Sequence, residues 1–224
     1  MRLLRPDPTF YPSPKMAMEA PAEKLAYVAL LNPTLRGRHD ALGIVDVDPA
    51  SSRYGKLLRQ VEMPNAGDEL HHFGWNACSA CLSPYAPHAH LERRYLIVPG
   101  LRSSRIHVID TKPDPTKPKI VKVIEPEELA KRANYSRPHT VHCGPNGIFV
   151  SALAAGNGEA TGGVFVMDQD TFDVLGQWGQ LRRSLLLKLA RLTGLNTAFR
   201  NHPVADCWKS VSLGGLGAPL TSLL

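Results

Sequence analysis

Three copies of one β-strand pattern constrain the fold of this chain more than any other feature of its sequence. The copies are LGIVDVDPASSRYGKLLRQVEMP at 42–64, RIHVIDTKPDPTKPKIVKVIEP at 105–126 and GVFVMDQDTFDVLGQWG at 163–179. Each predicts a β-branched strand ending in Asp, a turn rich in Pro, Asp or Ser, and a second strand with alternating apolar residues. The aspartates that end these first strands are Asp46, Asp110 and Asp168.

Two further strand candidates lie between the copies, YLIVPGL at 95–101 and GIFVSAL at 147–153. Four short strands in each period of about sixty residues are typical of a β-propeller blade, which must stack on neighbouring blades to bury both faces. Propellers close with about four to eight blades, and this sequence holds about two to three. We therefore predict an all-β fold, an incomplete β-propeller. A β-sandwich of irregular strands is the alternative.

The pattern divides the chain into a short N-terminal extension at 1–18, a partial propeller at 19–178 and a divergent tail at 179–224. The tail is basic and rich in Leu, with helix-like spacing. The leucines on one side are Leu181, Leu185, Leu189 and Leu192. Such a segment suits peripheral contact with a membrane or docking on a partner. The alternative is an unrelated, weakly ordered end, such as a different splice end or reading frame gives.

Charge and apolar runs limit the function classes. Most of the net charge of +6 lies after Gln180, without the interleaved aromatics of a surface that recognises bases, so we expect no nucleic-acid partner. No run of about eighteen apolar residues and no secretion signal occur, which predicts no membrane span and a cytoplasmic location, with the nucleus as a second compartment. In that setting, we expect the four cysteines to be thiols or ligands, not a disulfide framework.

Two histidine segments carry the chemistry, DELHHFGWNACSAC at 68–81 and RPHTVHC at 137–143. Each precedes one of the two further strands, so both occupy equivalent blade positions and are expected to converge near the propeller axis. Imidazole is a good ligand for copper, zinc, iron and nickel. The candidate metal ligands are His71, His72, His139 and His142. The alternative is that these histidines only form hydrogen bonds that cap strands.

Other groups near the histidines are weaker candidates. The pair Cys78 and Cys81 suits half of a soft-metal site, a redox dithiol or two buried small residues, and Cys143 directly follows a histidine. These three cysteines are the candidates for thiol or selenium chemistry. Asp68 or Glu69 is expected to orient a ligand ring by accepting its N–H, although solvated carboxylates are the commoner outcome.

Several segments together resemble the N-terminal part of the selenium-binding protein family, whose members include methanethiol oxidases. They are YVALLNP, VDVDPASSRYGKLLRQVEMPNAGDELHHFGWNACSAC, LIVPGLRSSRIHVIDT, KVIEPEEL, HTVHC and GGVFVMDQDTFDVLGQW, within residues 19–178. The resemblance implies a β-propeller that oxidises methanethiol with oxygen and water to formaldehyde, hydrogen sulfide and hydrogen peroxide. It also implies copper as the cofactor.

The resemblance further implies that copper is held by His71, His72 and either His139 or His142, joined by a histidine from a C-terminal region absent from this sequence. The selenium-associated cysteine of vertebrate members corresponds to Gly55 here, so the resemblance does not extend selenium binding to that position. We expect the missing blades to impair turnover.

Three hypotheses from different classes follow. The first is a copper-dependent oxidase acting on a small thiol, methanethiol, and oxygen. The second is a non-catalytic module that binds selenium compounds or metal through Cys78, Cys81 and the histidines. The third is a fragment that associates with another protein chain through its open blade edges.

Overall fold

The computed structural model describes residues 7–11, 13–32, 38–77, 89–112, 114–144, 147–159 and 161–180. Nearly all of the predicted basic tail lies outside these residues, as do Cys78 and Cys81. Within the described part of the chain, no helix is long and apolar enough to span a membrane.

Eleven strands form three antiparallel sheets in this part of the chain. The first sheet has the order β1-β2-β3, with β1 at Leu25–Leu30, β2 at His39–Asp46 and β3 at Leu57–Ala66. The second has the order β4-β5-β6-β7, with β4 at Gly74–Trp75, β5 at Tyr95–Pro99, β6 at Ile106–Asp110 and β7 at Lys119–Ile124. The third is a meander of β8 at Tyr135–Gly144, β9 at Gly147–Ala155, β10 at Gly163–Met167 and β11 at Val174–Gln177. The predicted all-β, incomplete propeller-like fold is confirmed.

The repeated aspartates occupy the same turn in each sheet. Each follows or ends a central strand, and its carboxylate accepts a hydrogen bond from the backbone N–H two residues later, which stabilises the turn to the next strand. The bonds join Asp46 to Asp48 at 3.0 Å, Asp110 to Lys112 at 2.9 Å and Asp168 to Asp170 at 2.9 Å. The sequence repeat is therefore a repeat of turn geometry.

Two short helices accompany the strands, α1 at Pro14–Met18 and α2 at Pro126–Ala133. Helix α2 begins with Pro126, whose missing N–H costs nothing at a helix start, and it ends before Asn134 in the left-handed conformation. It buries Leu129 and Ala133 against the third sheet and the neighbouring second sheet.

The sheets pack face to face around the second one. All five residues of β6 are buried, because alternate side chains enter different cores. Ile106 and Val108 join a core with strands of the third sheet, while Ile109 joins a core with Leu42 and Met63 of the first sheet. Stacking of this kind is what a blade needs to bury both of its faces.

Candidate metal centre

The part of the first histidine segment that carries both histidines, residues 68–72, runs between β3 and β4 along the turn that joins β5 to β6. The N–H of His71 donates to the carbonyl of Pro99 at 2.9 Å, and the N–H of Arg102 donates to the carbonyl of Asp68 at 3.0 Å. These bonds fix the segment on the second sheet although it belongs to none of the eleven strands.

Asp40 of β2 anchors the same segment from the first sheet. Its carboxylate accepts the N–H of Leu70 at 3.1 Å and the N–H of Asn32 at 2.7 Å. The Asp40 side chain is buried, and only 2% of the residue is exposed. The role of Asp40 could not be predicted from the sequence, because an Asp at the start of a strand gives no sign of a partner thirty residues away.

The second histidine segment lies on β8, where a bulge changes the pairing. The register between β8 and β9 shifts between Pro138 and Val141, and Arg137 has a φ of 55°. A bulge turns side chains away from strict alternation. The N–H of Val141 donates to the carbonyl of His72 at 3.1 Å, which joins the two segments directly.

Three histidines from these segments come together. One ring nitrogen each from His71, His72 and His139 lies within 4.8 Å of the others. The ring of His139 is centred 4.6 Å from that of His71 and 4.5 Å from that of His72. The His72 side chain is exposed and the other two are half-buried. Among the described residues, no other group of at least three His, Cys, Asp or Glu side chains meets the same test.

The remaining candidates lie elsewhere. His142 is exposed on β8, its Nδ1 is 2.6 Å from the carbonyl oxygen of Cys143, and it is not part of the cluster. Cys143 is disulfide-bonded, so it offers no free thiol in this structure, contrary to the expectation of a thiol or ligand. The structure thus brings together three of the four candidate histidines and leaves out His142.

The two candidate carboxylates face different partners. Glu69 lies 3.6 Å from Nε2 of His71 and is held by Arg102, whose Nη2 is 2.6 Å away. Asp68 is completely buried and faces His107 at 3.5 Å and Arg105 at 3.8 Å instead of the cluster. Of the two carboxylates, only that of Glu69 is therefore in a position to orient a ring of the cluster.

The electrostatics of the cluster favour a neutral imidazole at His139. Burial, together with the neighbouring His71 and His72, holds the pKa of His139 below its ordinary value. A histidine must be unprotonated at the ligating nitrogen to bind a metal. The environment of His139 therefore prepares it as a ligand at neutral pH.

The donor set fits a copper or zinc ion. Metal to imidazole nitrogen bonds are about 2.0 to 2.1 Å long, so two ligand nitrogens on one ion are at most about 4.2 Å apart. The observed spread of up to 4.8 Å exceeds this limit by about 0.6 Å. A donor set of three imidazoles suits copper or zinc, whereas calcium and magnesium prefer oxygen ligands.

A family model described as 56kDa selenium binding protein (SBP56) matches residues 4–189, most of the chain. The chain belongs to the selenium-binding protein family. Both histidine segments lie inside the matched region of this family member.

Individual relatives agree with this assignment. Selenium-binding protein 2 of Arabidopsis thaliana is 45% identical over 170 residues, which cover 75% of this chain and 34% of that protein. Methanethiol oxidase of Bos taurus is 41% identical over 172 residues, covering 76% of this chain and 36% of that protein. The crystal structure of a hypothetical selenium-binding protein from Sulfolobus tokodaii matches with a TM-score of 0.72 and 58% identity, over 77% of this chain and 38% of that one. The chain thus spans about a third of the length of the curated relatives that it matches.

Proposed function

We propose that this chain carries the metal-binding part of a copper-dependent methanethiol oxidase. The observation that carries the proposal is the convergence of His71, His72 and His139 from two segments that lie far apart in the sequence. Relatives named methanethiol oxidase, such as those of Bos taurus and Danio rerio, align with the region that contains all three histidines. The proposal joins this local geometry to the activity in those names.

The reaction consumes one methanethiol, one oxygen and one water, and it yields formaldehyde, hydrogen sulfide and hydrogen peroxide. Carbon is oxidised from thiol to aldehyde level, and oxygen is reduced by two electrons to peroxide. Copper, when bound, would supply a soft Lewis acid for the thiol sulfur and a redox partner for oxygen.

The residues of the chain would hold the copper ion and orient its ligand rings. His71, His72 and His139 are the proposed copper ligands, and Glu69 is proposed to accept the N–H of His71 while Arg102 fixes its carboxylate. The exposed side chain of His72 lies at the solvent-facing side of the cluster, where a small thiol can approach.

Fixed backbone bonds support these roles. The bond from the N–H of His71 to the carbonyl of Pro99 and the bond from the N–H of Val141 to the carbonyl of His72 hold the two ligand-bearing segments through the backbone. Such preorganisation lowers the entropy that ligand side chains lose when a metal binds. The family resemblance implies a further histidine ligand outside the matched region, which would join these three.

The proposal is tested by assaying the copper-loaded chain for formaldehyde and hydrogen sulfide from methanethiol, under air and under argon. We expect oxygen-dependent products from the native chain and from His142→Ala, and their loss in His139→Ala. Equal product formation by His139→Ala and the native chain would contradict the assigned site. A lack of products from a full-length relative under the same conditions would contradict the reaction itself.

A further inference from the structure

Thr140 lies between two histidines of the cluster. Its hydroxyl oxygen is 2.8 Å from Nδ1 of His139 and 3.4 Å from Nδ1 of His72. The same ring atom, Nδ1, of two histidines that lie far apart in the sequence therefore points to one oxygen. Nothing in the sequence pattern singles out this threonine.

The chemistry of a hydroxyl fits both contacts at once. A threonine oxygen has two acceptor lone pairs as well as one proton to donate. A neutral imidazole that binds a metal through one nitrogen carries its proton on the other nitrogen, and in metal sites that N–H usually has an acceptor. One hydroxyl oxygen can thus accept the Nδ1–H groups of both rings.

We propose that Thr140 is a positioning residue that selects the tautomer of His72 and His139, so that both rings present Nε2 to the metal. The inference rests on the proposed metal centre, and it adds the identity of the ligating atoms and the group that sets them. His71 is not included, because its Nε2 faces Glu69 and no contact with Thr140 fixes its Nδ1.

The hydroxyl is held in place by the backbone around it. The N–H of Thr140 donates to Oγ of Ser151 at 3.0 Å, and the next N–H, that of Val141, donates to the carbonyl of His72. A β-branched side chain has few χ1 rotamers, so fixing this backbone also limits the positions of the hydroxyl. Thr140 is exposed, and its two imidazole partners compete with water for the oxygen.

The test compares Thr140→Val, which keeps the shape and removes the hydroxyl, with Thr140→Ser, which keeps the hydroxyl. Thr171→Val is the matched control, because it removes another exposed threonine hydroxyl, which is bonded to Asp173 on a turn away from the cluster. Zinc, a diamagnetic ion, is titrated into the full chain. Loss of an outer partner typically lowers metal affinity by about 10- to 100-fold. We expect that loss for Thr140→Val and near-native affinity for the other two variants.

Two-bond ¹H–¹⁵N NMR spectra of the histidine rings give a second readout, because they show which ring nitrogen carries the proton. A threonine that only supported the fold would not determine this. In the zinc-loaded native chain, we expect His72 and His139 to carry the proton on Nδ1 and the metal on Nε2. Metal on Nδ1 of either ring would overturn the inference even if every variant folds differently from the native chain.

The outcomes separate the two proposals. If the native chain binds zinc and Thr140→Val binds it equally well, the role of Thr140 is wrong and the metal centre stands. If the native chain binds neither zinc nor copper, the metal centre is wrong and this inference falls with it. Should Thr140→Val fail to fold, Thr140→Ser and the native NMR assignment still decide.

Discussion

Removal of the Asp40 carboxylate should destabilise the protein, because this side chain holds the first histidine segment through the backbone N–H of Leu70. Asp40 belongs to the first sheet, yet it accepts the backbone N–H of Leu70, next to His71. It also accepts the N–H of Asn32, so one buried side chain ties two segments together. In Asp40→Ala both bonds are lost and the N–H of Leu70 is left without its partner in a buried position.

The size of the effect follows from these contacts. A hydrogen bond to a charged group contributes about 1.5 to 3 kcal/mol, and an unsatisfied buried donor costs about 1 to 3 kcal/mol. Because these terms overlap, and because the buried carboxylate itself carries a desolvation cost, we expect a net loss of about 3 kcal/mol. For a protein of this size that corresponds to a fall of roughly 6 to 12 °C in Tm.

Urea unfolding and thermal melts of the metal-free chain measure this loss. The matched control is Asp170→Asn, which changes an exposed aspartate on a turn of the third sheet. Asp40→Asn is a milder variant, since its amide keeps one acceptor but turns a donor toward one of the two N–H groups. If Asp40→Ala is no less stable than Asp170→Asn, the anchoring role assigned to Asp40 is wrong.

Three further predictions concern the stability of the sheets that carry the histidine cluster. Arg94 donates two hydrogen bonds to the carboxylate of Asp110 and holds the pKa of that carboxyl below its ordinary value. The stability difference between the native chain and Asp110→Asn should therefore be full at neutral pH and disappear in acid. Urea unfolding at several pH values measures this difference, and a pH-independent difference would contradict the prediction. Burial lowers the pKa of His107, so the unfolded chain takes up a proton below about pH 6.5 that the folded chain resists. Below that pH, the free energy of unfolding should fall more steeply with decreasing pH in the native chain than in His107→Leu. Equal pH dependence of the two chains would refute the lowered pKa of His107. A Cβ on Gly74 would lie 2.8 Å from the carbonyl oxygen of Val141, so Gly74→Ala should lose about 1 to 3 kcal/mol in urea unfolding, while Gly179→Ala, which meets open space, should not.

The blade pattern could be predicted because its signals are local. An Asp that ends a strand and bonds to the N–H two residues later needs only its own turn, so Asp46, Asp110 and Asp168 mark equivalent places in the sequence and in the fold. The strands between them follow from β-branched, apolar runs. Face-to-face stacking of the sheets then follows from the burial that a blade requires.

The choice between His139 and His142 could not be made from the sequence. It depends on the bulge between Pro138 and Val141, and a register shift is a property of two paired strands. The partners of the two candidate carboxylates could not be predicted from the sequence either. Glu69 has a φ of 55°, and the two neighbours face different partners, so Asp68 meets His107 while Glu69 stays beside His71.

Long-range partners were likewise invisible to sequence reasoning. Asp40 meets Leu70 across two sheets, and Thr140 meets His72 from a strand far along the chain. Nothing in the local pattern of either residue differs from that of an ordinary strand residue. The histidine segments could therefore be predicted from sequence spacing, whereas the groups that hold them in place could be recognised only from the folded structure.

The most direct test of the account is the copper content of the purified full chain, measured per mole of protein beside His139→Ala and His142→Ala. The cluster predicts close to one copper ion in the native chain and in His142→Ala, and strong loss in His139→Ala, because only His139 shares the site with His71 and His72. Absence of copper from the native chain, or equal retention by both variants, would contradict a copper centre built from these three histidines.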